Sequence, residues 1–315
     1  GQALPYLDGV TYIWITDQGL AFSAFRTGRL SCACGYTSDI FVNQKEQAEQ
    51  AVRGIKFGTA WSANFLQLNT GRAPLNNLKA RQALHIGFDR VQLREVLRGG
   101  TAFYPPTFFV PLELGGRLSL PGGEFLATPG FREPKALDTQ ESRRLFQEAG
   151  VDPARLTLKF VSSAVQKDIT EAMASIIIGM GIKVDIQLVS NQADLIAQLT
   201  RGDFDVTYPG GGVSFDDPAD LIASTVGTGG TLNYGKISNP TVDRLLADQD
   251  AELDFPKRRE LLYQFQRELL KDAAFTPAHI FPALFATHSY VEGFVLKRAF
   301  SVGAHHRLDR VWFTQ

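Results

Sequence analysis

Cysteine is nearly absent from this 315-residue chain: Cys32 and Cys34 are the only two. They stand two apart in a stretch that reads as a short strand, where alternate side chains share a face. A bridge between them would be strained, because extended i,i+2 Cα atoms lie near or beyond the usual disulfide range. The expectation is two small buried thiols, which say nothing about compartment. Long apolar runs are lacking too. None approaches the ~18 to 20 residues needed to span a bilayer. Charge of one sign is not in excess, with 32 Lys and Arg against 33 Asp and Glu. That balance argues against a nucleic-acid partner, since phosphate backbones are met by a clear basic surplus. No charged-then-apolar leader opens the chain, so any export signal has been removed or was never part of this segment, and location cannot be read from it.

What is present is the composition of an ordinary globular protein, 44% apolar and 21% charged. The length exceeds what one hydrophobic core usually organises, which predicts two lobes. "VTYIWITD" (10–17) is β-branched and aromatic and reads as a strand, and "LAFSAFRTGRL" reads as a short helix ending near Gly28. "IKFGTAW" and "NFLQLNT" are extended. In "NNLKARQALHIGFDRVQLREVLRGG" the apolar positions recur at helical spacing up to Gly99-Gly100, predicting one long helix. From Thr101 to Pro134 the chain is too aromatic for a disordered linker and too rich in Pro and Gly for regular elements, so a long ordered loop over the core is expected. Asp138 with Glu141 has the spacing of a capping box before a helix that closes on Gly150. Next come "RLTLKFVSS", "DITEAMASIIIGMG", "IKVDIQLVS", "NQADLIAQLTRGD" with Asn191 as cap, and "FDVTYPGG". This is β-α-β-α-β, whose connections favour parallel strands. Three further helices, "DPADLIASTV", "NPTVDRLLADQDAEL" and "FPKRRELLYQFQRELLKDA", precede the extended "FTPAHIFPALFATHS".

The stretch "GDFDVTYPGGGVSFDDPADL" (202–221) raises the functional question. Strand, glycine turn and helix start are the order of a phosphate loop. Yet Gly210-Gly211-Gly212 matches neither G-x-G-x-x-G nor the P-loop with its Lys, and Asp216, Asp217 and Asp220 would repel an anion. As metal ligands these acids compete with their routine use as caps at a helix start, and capping is the expectation. His305 and His306 are adjacent and point to opposite faces of an extended chain. His85, His279 and His288 have no matching Ser or Cys motif, and the G-x-S-x-G elbow is absent. No catalytic set is visible. What remains is a glycine-lined turn with Tyr208, Ser214 and Phe215 around it, where missing side chains let a ligand approach the backbone.

The order of "LPYLDGVTYIWITD", "FRTGRLSCACG", "NFLQLNTGRAPLNNLKARQALHIGFDRVQL", "SRRLFQEAGVD", "GIKVDIQLV", "RGDFDVTYPGG", "DDPADL", "SNPTVDRLL" and "RRELLYQFQRELLKDAAFTPAHIF" resembles the extracytoplasmic solute-binding proteins of ABC importers, the dipeptide/oligopeptide/nickel-binding family (family 5). The resemblance covers nearly the whole chain. It implies an α/β fold of the periplasmic-binding-protein-like type II, large cluster C: two lobes, each with a mixed sheet flanked by helices. The resemblance further implies that the N-terminal part of the first lobe is missing from this chain, so that residues 1–70 would be a partial first lobe, 71–290 the second α/β lobe and 291–315 the return to the first.

By resemblance the protein is the periplasmic, substrate-binding component of an ABC importer, a monomer and not an enzyme. It captures a peptide-like or other polar small solute between two closing lobes and hands it to the permease subunits, with no cofactor, metal or nucleic acid. The residues placed at the ligand are Tyr208, Gly210, Gly211, Ser214, Phe215 and Asp216 on the second lobe's wall, and Tyr36, Trp61 and Asn69 near the lobe junction. A non-transport sensor or chaperone-like module on the same fold is the alternative, and an enzyme the more remote one. One departure bears on the ligand. Many peptide-binding relatives carry a Trp after the first two glycines and an Asp three residues before the acid of Asp-Pro, where the Asp receives the peptide's amino terminus. Aligned on Asp217-Pro218, those positions are Gly211 and Ser214. A buried ammonium without a carboxylate is costly, so a blocked peptide, a sugar-like compound or another polar metabolite is favoured over a free-amino peptide.

Overall fold

The computed structural model describes residues 3–13, 15, 17–33, 44–97, 103–208, 217, 221–294 and 308–314. In chain order its helices and strands are α1 (Gln18–Arg26), β1 (Cys32–Ala33), α2 (Lys45–Ala51), β2 (Lys56–Leu68), α3 (Leu78–Gly87), α4 (Arg90–Val96), α5 (Gly122–Ala127), α6 (Ala136–Glu148), β3 (Thr157–Ser163), α7 (Lys167–Gly179), β4 (Lys183–Val189), α8 (Gln192–Thr200), β5 (Val206–Tyr208), α9 (Leu221–Val226), α10 (Pro240–Ala251), α11 (Phe255–Asp272), β6 (Phe275–Thr287), β7 (Val291–Glu292) and β8 (Trp312–Phe313). Two compact units divide the chain: Gly1–Ser62 with Phe281–Gln315, and Ala63–Ile280. Both divisions fall inside long strands, β2 and β6.

In the smaller unit, β1 pairs antiparallel with the end of β6 (Cys32 opposite Thr287, Ala33 opposite Ala286) and β7 pairs antiparallel with β8. Phe22 and Phe25 of α1, Ala48 of α2, and Leu284 and Ala286 of β6 form its core. The Asp17 carboxylate accepts from the Leu20 amide at 2.7 Å and starts α1, and Gly28 follows its end at φ 77°, a left-handed conformation glycine adopts without strain.

In the larger unit the sheet runs β6-β2-β5-β3-β4. β3 pairs parallel with β4 over seven residues and parallel with β5, while β2 runs antiparallel to β5 with Leu68 opposite Val206. The β-α-β-α-β reading therefore holds, including Asn191, whose side chain accepts from the amides of Ala193 and Asp194 at the head of α8. One face of the sheet packs Leu66, Leu68, Leu158, Phe160 and Val206 against α3, α6 and α7. On the other face Val161 and Phe204 meet Leu195 and Leu199 of α8. The loop expected from 101 to 134 is largely irregular over its described residues, 103–134, broken by α5, and it buries Phe108, Phe109, Phe125 and Phe131 completely.

Four sequence expectations are corrected. The strand foreseen at 10–17 is absent from its described residues, and Val10, Tyr12 and Ile13 are exposed. β-Propensity is realised through pairing with a neighbouring strand, which this stretch lacks among the described residues. The single long helix is two, because Phe88 turns extended into the core and Asp89 caps a new helix by accepting from the Gln92 amide at 2.9 Å. Asp138 is no cap: α6 begins at Ala136, and the buried Asp138 carboxylate accepts instead from the Gly130 amide (3.0 Å), Arg132 Nε (2.5 Å) and Lys135 Nζ (3.2 Å). Cations across the turn outcompete the helix amides for it. The helix expected from Asp217 is described from Leu221, the Asp217 carboxylate accepts from Arg258 Nη2 of α11 at 2.8 Å, and the start of that helix lies outside the described residues. Asp216 and Asp220 lie outside the described residues. Finally, Cys32 is disulfide-bonded, and Cys34 is the only other cysteine of the chain. The free-thiol expectation assumed extended spacing throughout, whereas β1 is two residues long.

Candidate functional site

Ligands of open α/β sheets gather beyond the carboxyl ends of the parallel strands. In the larger unit that end is marked by Tyr208, the last residue of β5 and buried. Its hydroxyl donates to the Asn64 Oδ1 of β2. Its backbone carbonyl accepts from Ser162 Oγ of β3 at 3.1 Å, and the same hydroxyl group lies 3.2 Å from Gln166 Oε1. The buried His279 ring of β6 stands 6.4 Å from the Tyr208 ring. Hydrogen bonds join Ser162, Tyr208 and Asn64, and with the His279 ring beside them these buried polar groups form a row across four adjacent strands.

A cavity of about 200 Å³ adjoins this row on the α8 face. Its floor is Phe65 and Phe275, stacked with ring centres 4.6 Å apart. Leu195 and Leu199 form one wall, Thr225 and Leu232 another, and Tyr208 borders it at the strand end. Gln192, Ile196, Leu221 and Tyr234 complete the lining, which contains no Asp, Glu, Lys or Arg among the described residues. Burial pushes the Tyr234 phenol above its ordinary pKa, so the hydroxyl stays neutral. The wall is held from behind. Gln67 Nε2 donates to the carbonyls of Thr225 and Leu232, both at 3.4 Å, and Asn233 Nδ2 donates to those of Gly227 (2.9 Å) and Ile237 (2.7 Å). Among the described residues no three His, Cys, Asp or Glu side chains gather at metal-ligating distance.

Of the residues singled out in the sequence, Tyr208 lies at this site. Gly210, Gly211, Ser214, Phe215, Asp216 and Tyr36 lie outside the described residues, as does the side chain of Trp61, which belongs to β2. Asn69 stands at the opposite end of the β2–β5 pairing. Its Nδ2 donates to the carbonyls of Gly202 (3.0 Å) and Phe204 (2.9 Å) and its Oδ1 accepts from the Gly71 amide (3.0 Å), so its amide ties the entry of β5 to the exit of β2. Sequence reasoning missed Asn64 and Phe65, and it set His279 aside for want of a matching Ser or Cys motif. The available signal was alternation: in "NFLQL" and "PAHIF" one polar side chain interrupts an otherwise apolar face of a buried strand.

Residues 1–233 match the family model of bacterial extracellular solute-binding proteins, family 5 Middle. The chain belongs to that family. Among curated relatives it is 22% identical over 303 residues to the periplasmic oligopeptide-binding protein OppA of Salmonella typhimurium, covering 94% of this chain and 53% of the relative. It is 26% identical over 303 residues to the probable di/tripeptide-binding protein 5 of Pseudomonas aeruginosa, covering 92% of this chain and 53% of that one. The chain thus spans about half the length of the curated relatives it matches. Among solved structures, OppA of Burkholderia pseudomallei superposes with a TM-score of 0.75 at 19% identity, over 95% of this chain and 57% of that one. Haemophilus influenzae OppA in complex with RPPGFSPFR gives 0.72 at 18% identity, over 95% and 57%. The fold is therefore that of the periplasmic peptide-binding proteins, as the sequence resemblance implied, and the family and its neighbours are binding proteins. No helix among the described residues is long and apolar enough to cross a membrane.

Proposed function

We propose that this chain is the ligand-capturing portion of an extracytoplasmic solute-binding protein that serves an ABC importer. The observation that carries the reading is family membership over most of the chain, joined to a buried polar row and a cavity at the strand ends where such folds hold ligands. The turn that follows Tyr208, with Gly210, Gly211, Ser214, Phe215 and Asp216, supplies the wall against which the solute lies. A periplasmic location is supported by the relatives and suits a disulfide at Cys32, since disulfides persist in oxidising compartments. The protein acts as a monomer without catalysis and passes its solute to permease subunits.

The solute is a peptide-like or other polar molecule without a free ammonium at the position Ser214 occupies, because serine offers that charge no counterion. Thermal-shift measurements with a panel of di- to pentapeptides, each with a free and an acetylated amino terminus, test this. Saturable stabilisation by the acetylated members, with every peptide recovered intact, is the expected result. Preference for the free-amino members overturns the ligand assignment, and consumption of any panel member overturns the binding role itself.

A further inference from the structure

We infer that the cavity beside Tyr208 receives an uncharged apolar group of the captured solute, an aliphatic chain or a single ring, and so selects among solutes by their apolar part. This rests on the binding role proposed above and adds the chemistry of the group that is bound.

Three features carry it. The first is size. An apolar cavity of about 150 Å³ accepts a benzene ring, and this one is about 200 Å³. The second is charge: the described lining holds no ionic side chain, so a carboxylate or ammonium entering it would lose its hydration without gaining a partner. The third is construction. The floor rings are almost completely buried, as are Leu195, Leu199 and Thr225, while Ile196 on the rim is 43% exposed, so the cavity has a closed bottom and an apolar lip. Its far wall is fixed to β2 through Gln67 and braced by Asn233, which keeps the space from collapsing when empty. Interiors normally pack without voids larger than a water molecule. A retained, largely apolar and uncharged space next to the polar row is explained if a ligand group fills it.

Two variants test this on the full chain. Leu199→Phe fills the space from the α8 wall, and Ile196→Glu places a charge on the exposed lip, where folding is not at stake. Titration of indole, a neutral ring system, followed by methyl NMR, should give saturable shifts centred on Leu195, Leu199 and Leu232. Benzoate should bind at least ten times more weakly. Each variant should weaken indole about ten- to a hundred-fold, the range set by burying one apolar side chain. In the peptide panel both variants should erase any preference for apolar over alanine residues. Indole shifts elsewhere, benzoate binding as well as indole, or variants that keep the panel's apolar preference overturn the inference and leave the binding role standing. A panel that binds neither the original chain nor the variants overturns the binding role.

Discussion

Asp138 is a place where a single atom substitution has a calculable, pH-dependent consequence. Its carboxylate is fully buried and takes the amides of Gly130 and Arg132, Arg132 Nε and Lys135 Nζ. Lys135 Nζ also donates to the carbonyls of Ile86 (2.7 Å), Phe88 (3.1 Å) and Gly130 (3.3 Å). Together they join the end of α3 to the start of α6. Desolvation, aided by the neighbouring Arg90 charge, pulls the Lys135 ammonium down from 10.5 to about 8, and Asp138 opposes the fall. Asp138→Asn keeps the shape and removes the charge. Removing one partner of a buried pair costs about 3–5 kcal/mol. Because asparagine retains one acceptor, a loss of roughly 2–4 kcal/mol is expected at pH 7. At roughly 2–4 °C per kcal/mol for a unit of this size, the midpoint should fall by roughly 5–15 °C.

The pH dependence has a definite sign. Lys135 binds its proton less tightly in the folded chain than in the unfolded one, so the unfolded state holds more protons between about pH 8 and 10.5 and stability rises with pH across that window. In Asp138→Asn the folded-state value drops further and the window opens below 8. The cost of the substitution should therefore shrink as pH rises from 7 to 9.5, where Lys135 is largely neutral in both proteins. Thermal melts followed by circular dichroism at the two pH values measure this. A cost below about 1 kcal/mol at pH 7, or one that grows toward pH 9.5, would refute the reasoning.

Three further outcomes are expected. Lys135→Met should flatten the rise in urea midpoint between pH 8 and 10, since its full linkage contribution is about 3 kcal/mol; an unchanged slope contradicts the assigned origin. Tyr208→Phe removes the donor to Asn64 and should cost about 1–2 kcal/mol in urea unfolding, and an unaltered midpoint shows that this hydrogen bond has no net worth. Asn69→Ala loses three hydrogen bonds to backbone groups and should cost roughly 2–4 kcal/mol, with solute affinity changed less than about three-fold; a large affinity loss at unchanged stability instead places Asn69 at the ligand.

The parts of this fold that can be read from sequence are those where local chemistry and tertiary context agree. Asn191 before an amphipathic run is a helix start in any setting, and the buried strands β3 and β5 flank helices of the right length, so the α/β unit is legible. Asp138 and Asp89 show the limit. Both are acids with cap-like spacing, yet one caps a helix that breaks a longer apolar pattern and the other serves two cations across a turn. Residues 10–13 have strand propensity without a strand to pair with among the described residues. At the site, Tyr208 was visible because it precedes a glycine turn, whereas Phe65, Phe275 and Leu199 converge from three elements and look like any core positions until the cavity between them is seen.

Native mass spectrometry of the protein incubated with a mixture of short acetylated peptides bears most directly on solute capture. The expected spectrum contains the chain with one small molecule attached, lost intact on gentle activation. Bare chain at every peptide concentration would contradict the account.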